Sequence, residues 1–152
     1  MASVAVRPAI ITDVYALAAT LRDGDRAEIQ AMGRDPRRAL RFAYRSSLVP
    51  PRVATVDGEV AAMWGLGGDL ISDVGEPWLL TGHAADRVPF AFVRIAKAEL
   101  AAMLAVKPRL ENYVAADYAK AVRLVEGLGF HLDPPAPIGP NGALFRRFWI
   151  EA

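Results

Sequence analysis

The sequence predicts an α/β fold in which helices cover both faces of one mixed β-sheet. A hairpin signal, Asp57-Gly58, lies between two strand-like runs. A long apolar helix is predicted from Val88-Pro89 to about Ala105, and residues 110–130 follow as a strand, an amphipathic helix and a glycine stop. Strands that alternate with helices in this way are typical of two-layer and three-layer α/β domains.

The predicted order of elements is β-α-α-β-β-β-α-β-α-β. In chain order these are a strand at 4–6, helices at 12–21 and 36–46, strands at 52–56, 59–67 and 78–81, a helix at 89–105, a strand at 110–114, a helix at about 118–128 and a strand at 144–150. Asp23-Gly24-Asp25 is expected to end the first helix, with only a short helical turn after it near 27–32. Asp35-Pro36 predicts the start of the second helix, because Asp caps and Pro fits the first helical position.

Length and composition indicate a single domain, residues 1–152, with an ordinary hydrophobic core. The chain is 53% hydrophobic and 23% charged, with a net charge of +1 and no cysteine. A disulfide framework and a thiolate metal site are therefore excluded. No apolar run approaches the length of a membrane span, and the first residues lack a secretory pattern. We expect a soluble, cytoplasmic product.

The segment Leu110–Phe130, LENYVAADYAKAVRLVEGLGF, resembles the last strand–helix unit of the GNAT (GCN5-related N-acetyltransferase) family, and the element order agrees across nearly the whole chain. The resemblance implies a GNAT-like sheet in which the fourth strand and the helix after it would hold acetyl-CoA. If acyl-CoA binds, the implied cofactor residues are Leu79, Leu80, Thr81, Gly82, Ala84, Ala85, Arg87 and Val88. Backbone amides in such a turn bind pyrophosphate.

Two departures from the GNAT pattern bear on catalysis. In the turn 81–89, Gly82 is the only glycine, Asp86 adds a negative charge that Arg87 could offset, and Pro89 removes an N–H donor. In the last helix, Val125 occupies the position where the family commonly has a tyrosine that protonates the leaving thiolate. A valine cannot act as a general acid.

A narrower resemblance concerns small GNAT-like proteins of tailed phages and prophages, including internal virion proteins. Three segments carry it: GEPWLLTG, RVPFAFVRIAKAELAAML and PRLENYVAADYAKAVRLVEGLGF. The resemblance implies a role in the virion or its assembly, phage proteins as partners, and incorporation into a particle. The sequence leaves a homo-oligomer and nucleic-acid contact open as well.

Three residues are weak catalytic candidates. Glu28 could deprotonate an amine or simply belong to a solvated helix face. His83 could be a base at the cleft or an ordinary surface histidine. Tyr118 precedes the usual tyrosine position by two helical turns and is not expected to replace it. The two histidines are far apart and form no metal motif, so no metal site is predicted.

Five arginines form the clearest polar feature of the chain. They are Arg34, Arg37, Arg38, Arg41 and Arg45. From Arg38 onward, their spacing places them on one helical stripe. Such a stripe could bind phosphate or an acidic partner, or it could be a solvated helix face.

Two functions of different classes follow from these observations. The leading interpretation is a phage or prophage protein with a GNAT fold and a degenerate acyl-CoA site, with no cofactor, acting as a virion or assembly component. The alternative is an active acetyl-CoA-dependent N-acetyltransferase with an atypical pyrophosphate turn.

Overall fold

The protein is described by a computed structural model that covers residues 1–152. The elements are β1 Val4–Pro8, α1 Ile11–Thr20, α2 Asp23–Ala31, α3 Pro36–Ser46, β2 Arg52–Val56, β3 Glu59–Gly67, β4 Val74–Thr81, α4 Pro89–Val106, β5 Arg109–Ala115, α5 Ala119–Gly127, β6 His131–Leu132 and β7 Phe145–Glu151. Short 3₁₀ helices cover His83–Arg87 and Pro140–Gly142. None of the helices is both long and apolar enough to cross a membrane.

The seven strands form one sheet in the order β1-β2-β3-β4-β5-β7-β6. Every neighbouring pair is antiparallel except β4 and β5. This mixed sheet with helices on both faces confirms the predicted α/β class.

Each face of the sheet has its own core. On one face, Val14 and Leu17 of α1 and Leu40 of α3 pack with Met63 of β3. On the other face, Leu110 and its buried neighbours pack against the apolar sides of α4 and α5. Because α4 and α5 contribute no fully buried residue, these two helices cover the sheet more loosely than α1 and α3 do.

The two parallel strands pair only at their start. Val74 pairs with Arg109 and Gly75 with Leu110, and no pairing follows. Beyond that point β4 continues along β3, while β5 continues along β7. The two strands therefore diverge toward their carboxyl ends and leave a gap in the middle of the sheet.

Pro77 lies inside β4, where a proline would normally break a ladder. It pairs with Leu66 of β3. Its carbonyl accepts a hydrogen bond from Asn112 Nδ2 at 2.9 Å, so its backbone faces the gap and β5. The missing N–H is harmless there, because β5 has already separated from β4.

Three predicted regions differ from the structure. β4 begins at Val74, four residues before the predicted start at 78. The Asp23–Asp25 segment does not merely break α1: it opens α2, a regular helix of nine residues. Acidic side chains in the first turn of a helix are stabilising, and Arg22 before them has a non-helical backbone with φ −59° and ψ 149°. The predicted order also lacks the two-residue strand β6, which is too short to give a periodic signal.

Candidate functional site

The gap between β4 and β5 contains a cavity of about 480 Å³. Most of its lining is hydrophobic, and the lining side chains come from both faces of the sheet. Glu28, Phe42 and Trp78 line it on the α2–α3 side, while Phe92 and Leu124 line it on the α4–α5 side. A concave, mostly apolar site with a few polar groups is the usual form of a ligand pocket.

Glu28 of α2 is the carboxylate that reaches this cavity at the end of β5. Its Oε2 accepts a hydrogen bond from the Ala115 N–H at 2.8 Å. Ala115 is the last residue of β5, so the bond ties α2 to the end of the diverging strand. Glu28 Oε1 has no hydrogen bond within the chain, which leaves it available to a ligand.

The environment of Glu28 raises its pKa to about 7. Burial is the main cause, since it penalises the charged carboxylate. The Ala115 N–H opposes this by favouring the charged form, and the negative charges of Asp25 and Asp117 raise the pKa further. A carboxyl group with a pKa near the operating pH is suited to general-base chemistry.

Asp25, one helical turn before Glu28, closes the end of the gap. Its Oδ2 accepts hydrogen bonds from the backbone N–H of Thr81 and from Thr81 Oγ1, the latter at 2.6 Å. Its Oδ1 accepts one from the Tyr118 hydroxyl at 2.6 Å. Asp25 is buried and thereby joins α2, the end of β4 and the start of α5.

Tyr118 is held by packing and hydrogen bonding at the end of the gap and is not open to the cavity. Burial raises its pKa, and its hydrogen bond to Asp25 raises it further. Its ring also lies against Gly24, where a Cβ would be only 2.4 Å from ring atoms. The phenol therefore helps to seal the end of the gap and does not line the cavity.

The predicted cofactor residues divide into two groups. Leu79 and Leu80 line the cavity. Thr81 and Gly82 are buried beside α2 and α1, and Ala84 and Ala85 are buried in a small core cluster. The amides of Ala85 and Val88 donate to carbonyls within this turn, at 3.1 and 3.2 Å. The turn thus forms a 3₁₀ helix instead of an open amide cradle.

Within the gap, Leu79 offers a free strand edge that suits an extended ligand. The Gly82 N–H donates to Ala61 O of β3 at 2.7 Å. In an antiparallel pair, every second residue directs its backbone N–H and C=O toward the partner strand, so those of Thr81 and Leu79 point away from β3. Both backbone groups of Thr81 already have partners within the chain. Its N–H donates to the Asp25 carboxylate, and its carbonyl accepts a hydrogen bond from the Arg22 N–H. Leu79 faces the gap where β5 does not pair with it.

Asp86 is held by two cations from different parts of the chain. Arg22 Nη1 lies 2.8 Å from Asp86 Oδ1, and Lys120 Nζ of α5 lies 3.4 Å from the same oxygen. Partial burial acts to raise the pKa of Asp86, but the hydrogen bonds and charges of Arg22 and Lys120 together lower it below its usual value. Arg87, which the sequence suggested as its partner, pairs instead with Glu59 at 2.9 Å.

His83 and Val125 lie apart from the polar groups of the gap. His83 is exposed at the start of the 3₁₀ turn and does not line the cavity. Val125 lines the cavity as an apolar group and packs with the second core. No three His, Cys, Asp or Glu side chains are grouped so that they could hold a metal ion.

The arginines occupy a surface next to the cavity. Arg37, Arg38, Arg41 and Arg45 project from α3, and none of them forms an ion pair within the chain. Arg37 stacks over the ring of Tyr15, 4.6 Å from its centroid. Arg34 lies before α3, outside the helical stripe, and lines the cavity.

Solved structures of known proteins share this architecture over their full length. A ribosomal-protein-alanine N-acetyltransferase from Brucella melitensis has 16% sequence identity and a TM-score of 0.73, covering 97% of this chain and 99% of that one. A GNAT-family acetyltransferase from Streptococcus pneumoniae has 15% identity and a TM-score of 0.66, covering 98% and 99%. A protein from Salmonella typhimurium, described as an acetyltransferase and solved with its cofactor acetyl-CoA, has 15% identity and a TM-score of 0.66, covering 98% and 94%.

These likenesses show that the chain has the GNAT acetyltransferase fold. At such low identity they show the fold and not the activity. No model of a protein family matches the sequence, and no curated protein is significantly similar to it. Nothing in the comparisons bears on a phage or virion role, which stays a prediction.

Sequence reasoning missed the residues that organise the end of the gap. The local pattern around Asp25 predicts a helix break, and no pattern distinguishes Arg22 or Lys120. Their importance comes from contacts between distant segments, which a local pattern does not contain. The one available signal was the acidic pair Asp25 and Glu28, three residues apart, which share a helix face.

Proposed function

We propose that this protein is an acyl-CoA-dependent N-acyltransferase in which Glu28 is the general base. The observation that carries the proposal is the position of Glu28: a carboxyl group with a pKa of about 7 at the cavity where β4 and β5 diverge. The full-length likeness to acetyltransferases supports the same reaction class.

Glu28 would act on the acceptor and not on the donor. In the transfer, the amine nitrogen bonds to the acyl carbon, the carbon–sulfur bond breaks, and Glu28 Oε1 accepts the proton that the amine loses. The Ala115 N–H fixes the other oxygen, which orients the carboxylate. Since Val125 has no ionisable group that could donate a proton, the leaving thiolate takes its proton from water.

The residues present fit acyl-CoA in part. The free edge at Leu79 suits the amide groups of the pantetheine arm. The first-turn amides of α4 suit pyrophosphate, because the capping residue Val88 has no side chain that accepts their hydrogen bonds. Asp86 opposes pyrophosphate by its charge, and Asp25 already holds the Thr81 N–H. Acetyl-CoA would supply an activated acyl group.

Acetyl transfer to a panel of amines, measured across pH, tests this proposal. The wild-type rate should rise as Glu28 loses its proton around neutral pH, and Glu28→Gln should lower kcat by about 100-fold. Glu126→Gln, an exposed change on α5, is the matched control and should keep the wild-type profile. Transfer that is unaffected in Glu28→Gln would exclude the proposed base.

A second candidate function rests on Asp25 and Asp86. Both carboxylates occupy positions that acyl-CoA would use, and both are already bonded within the chain. A protein with this fold that acts only through protein contacts, such as the virion or assembly component suggested by sequence, would retain such a closed arrangement. Its presence in purified phage particles or assembly intermediates would support that role.

A further inference from the structure

We propose that the acceptor is an amine that also bears an acidic group, with Arg34 binding that group. This inference rests on the proposed function, because it names the acceptor of the same cavity. It follows from the charges around the cavity and from the way the backbone of Arg34 is fixed at the end of α2, the helix that carries Glu28.

Arg34 is the only cationic side chain that lines the cavity. The other charged lining groups are carboxylates. Glu99 accepts a hydrogen bond from Trp64 Nε1 at 2.9 Å and lies 3.4 Å from Arg52, so it is already satisfied. Glu76 lies beside Gly67, near the start of β4 and far along the strand from Thr81.

A capping motif fixes the backbone of Arg34 at the end of α2. Gly33 adopts a positive φ of 73°, and the Arg34 N–H returns to the Ile29 carbonyl at 3.2 Å. Together with the Gly33 N–H to Gln30 O bond at 2.9 Å, this is a Schellman motif that ends α2. The backbone of Arg34 is therefore held against Ile29, the residue that follows Glu28.

The Arg34 guanidinium is exposed and has no partner in the chain. Arg38, also unpaired, lies one turn before Phe42, a cavity-lining residue of α3 that is 62% exposed. The unpaired Arg34 guanidinium suits a carboxylate or a phosphate, which arginine binds in a bidentate manner, and Arg38 adds positive charge on the neighbouring turn of α3. Glu28 can then face the amine of the same molecule.

The body of the acceptor is expected to be apolar. Phe42, Trp78 and Tyr113 also line the cavity and supply aromatic surface. An α-amino acid with an aromatic side chain combines the three required features. A polyamine, which carries no acidic group, would leave the Arg34 guanidinium without a partner.

Two acceptors that differ only in the carboxylate test the inference: L-phenylalanine and 2-phenylethylamine. The wild-type protein should favour phenylalanine by about tenfold or more in kcat/KM, and Arg34→Gln should remove this preference mainly through KM. Arg45→Gln, an unpaired arginine of α3 that does not line the cavity, should keep it. Equal or reversed preference in the wild type, or an unchanged preference in Arg34→Gln, would overturn the inference.

Calorimetric titration of both probes separates this inference from the proposed function. Acetylation of phenylethylamine with no binding of phenylalanine would overturn the inference and support the transferase. Binding of phenylalanine by the wild type but not by Arg34→Gln, without any acetyl transfer, would support this anion site and contradict the transferase.

Discussion

Glu28 Oε2 lies 2.8 Å from the backbone nitrogen of Ala115, and this bond joins the middle of α2 to the end of β5. The same contact buries the carboxylate and orients it. Burial raises the pKa of Glu28 to about 7, so the group can hold or release a proton near neutral pH. The stability of the fold and the chemistry of the cavity therefore depend on the same side chain.

Replacing Glu28 with Gln should stabilise the protein at alkaline pH. The pKa of Glu28 is raised from 4.5 to about 7 in the folded protein, so the favourable contribution of its protonated form to the free energy of unfolding is fully present below the pKa of the unfolded chain. It is lost as pH rises through the folded value. Gln keeps an oxygen for the Ala115 N–H and carries no charge to bury.

Urea unfolding of wild type and Glu28→Gln at about pH 4 and about pH 8 measures this effect. Relative to wild type, we expect Glu28→Gln to gain up to about 3 kcal/mol in free energy of unfolding between the two pH values. A difference between the two proteins that does not change with pH would contradict the raised pKa.

Tyr118→Phe should affect stability more than chemistry. The substitution removes the hydroxyl that donates to Asp25 at 2.6 Å and leaves the ring in place. A hydrogen bond to a charged group contributes about 1.5–3 kcal/mol, so denaturant unfolding should show a loss of that order. If acetyl transfer is found, kcat should stay within about threefold of wild type. A large fall in kcat with unchanged stability would instead make Tyr118 a catalytic residue.

Two glycine-to-alanine substitutions in helices should have opposite effects. At Gly24 of α2 a Cβ would be 2.4 Å from the Tyr118 ring, whereas at Gly127 of α5 it would meet nothing within 4 Å. Alanine is the better helix former by up to about 1 kcal/mol. Thermal unfolding should show Gly127→Ala as neutral or stabilising and Gly24→Ala as destabilising. Equal effects would mean that α2 is not pressed against Tyr118.

Asp86→Asn should increase affinity for acetyl-CoA. The change removes a negative charge near the start of α4 and releases Arg22 and Lys120 to meet phosphate. We expect a gain of about three- to tenfold at low ionic strength, decreasing as salt is added. Asp73→Asn, an exposed aspartate without an ion pair, is the control. An unchanged or lower affinity in Asp86→Asn would show that these cations do not contact the donor.

Local signals predicted the parts of the fold that depend on a few neighbouring residues. The Asp57-Gly58 turn has positive φ at both residues, 50° and 83°. Asp35 caps α3 by accepting the Arg38 N–H at 3.0 Å, and Gly129 has a φ of 96° after α5. In each case the conformation is selected by the residue itself, so the sequence alone suffices.

The site depends on contacts that no local signal encodes. Asp25 and Thr81 are 56 residues apart, and Glu28 and Ala115 are 87 apart. The Asp23-Gly24-Asp25 segment predicts a break because glycine weakens a helix, yet the hydrogen bonds of Asp25 with Thr81 and Tyr118 stabilise α2 there. The burial of Glu28, and hence its raised pKa, follows from that packing and could not be predicted from spacing.

Calorimetric titration of the full chain with acetyl-CoA, with free CoA as competitor, tests the central claim most directly. The account predicts saturable binding with a dissociation constant in the micromolar to submillimolar range, tightened by Asp86→Asn and displaced by CoA. No heat up to about 1 mM acetyl-CoA in either the wild type or Asp86→Asn would contradict an acyl-CoA-dependent transferase.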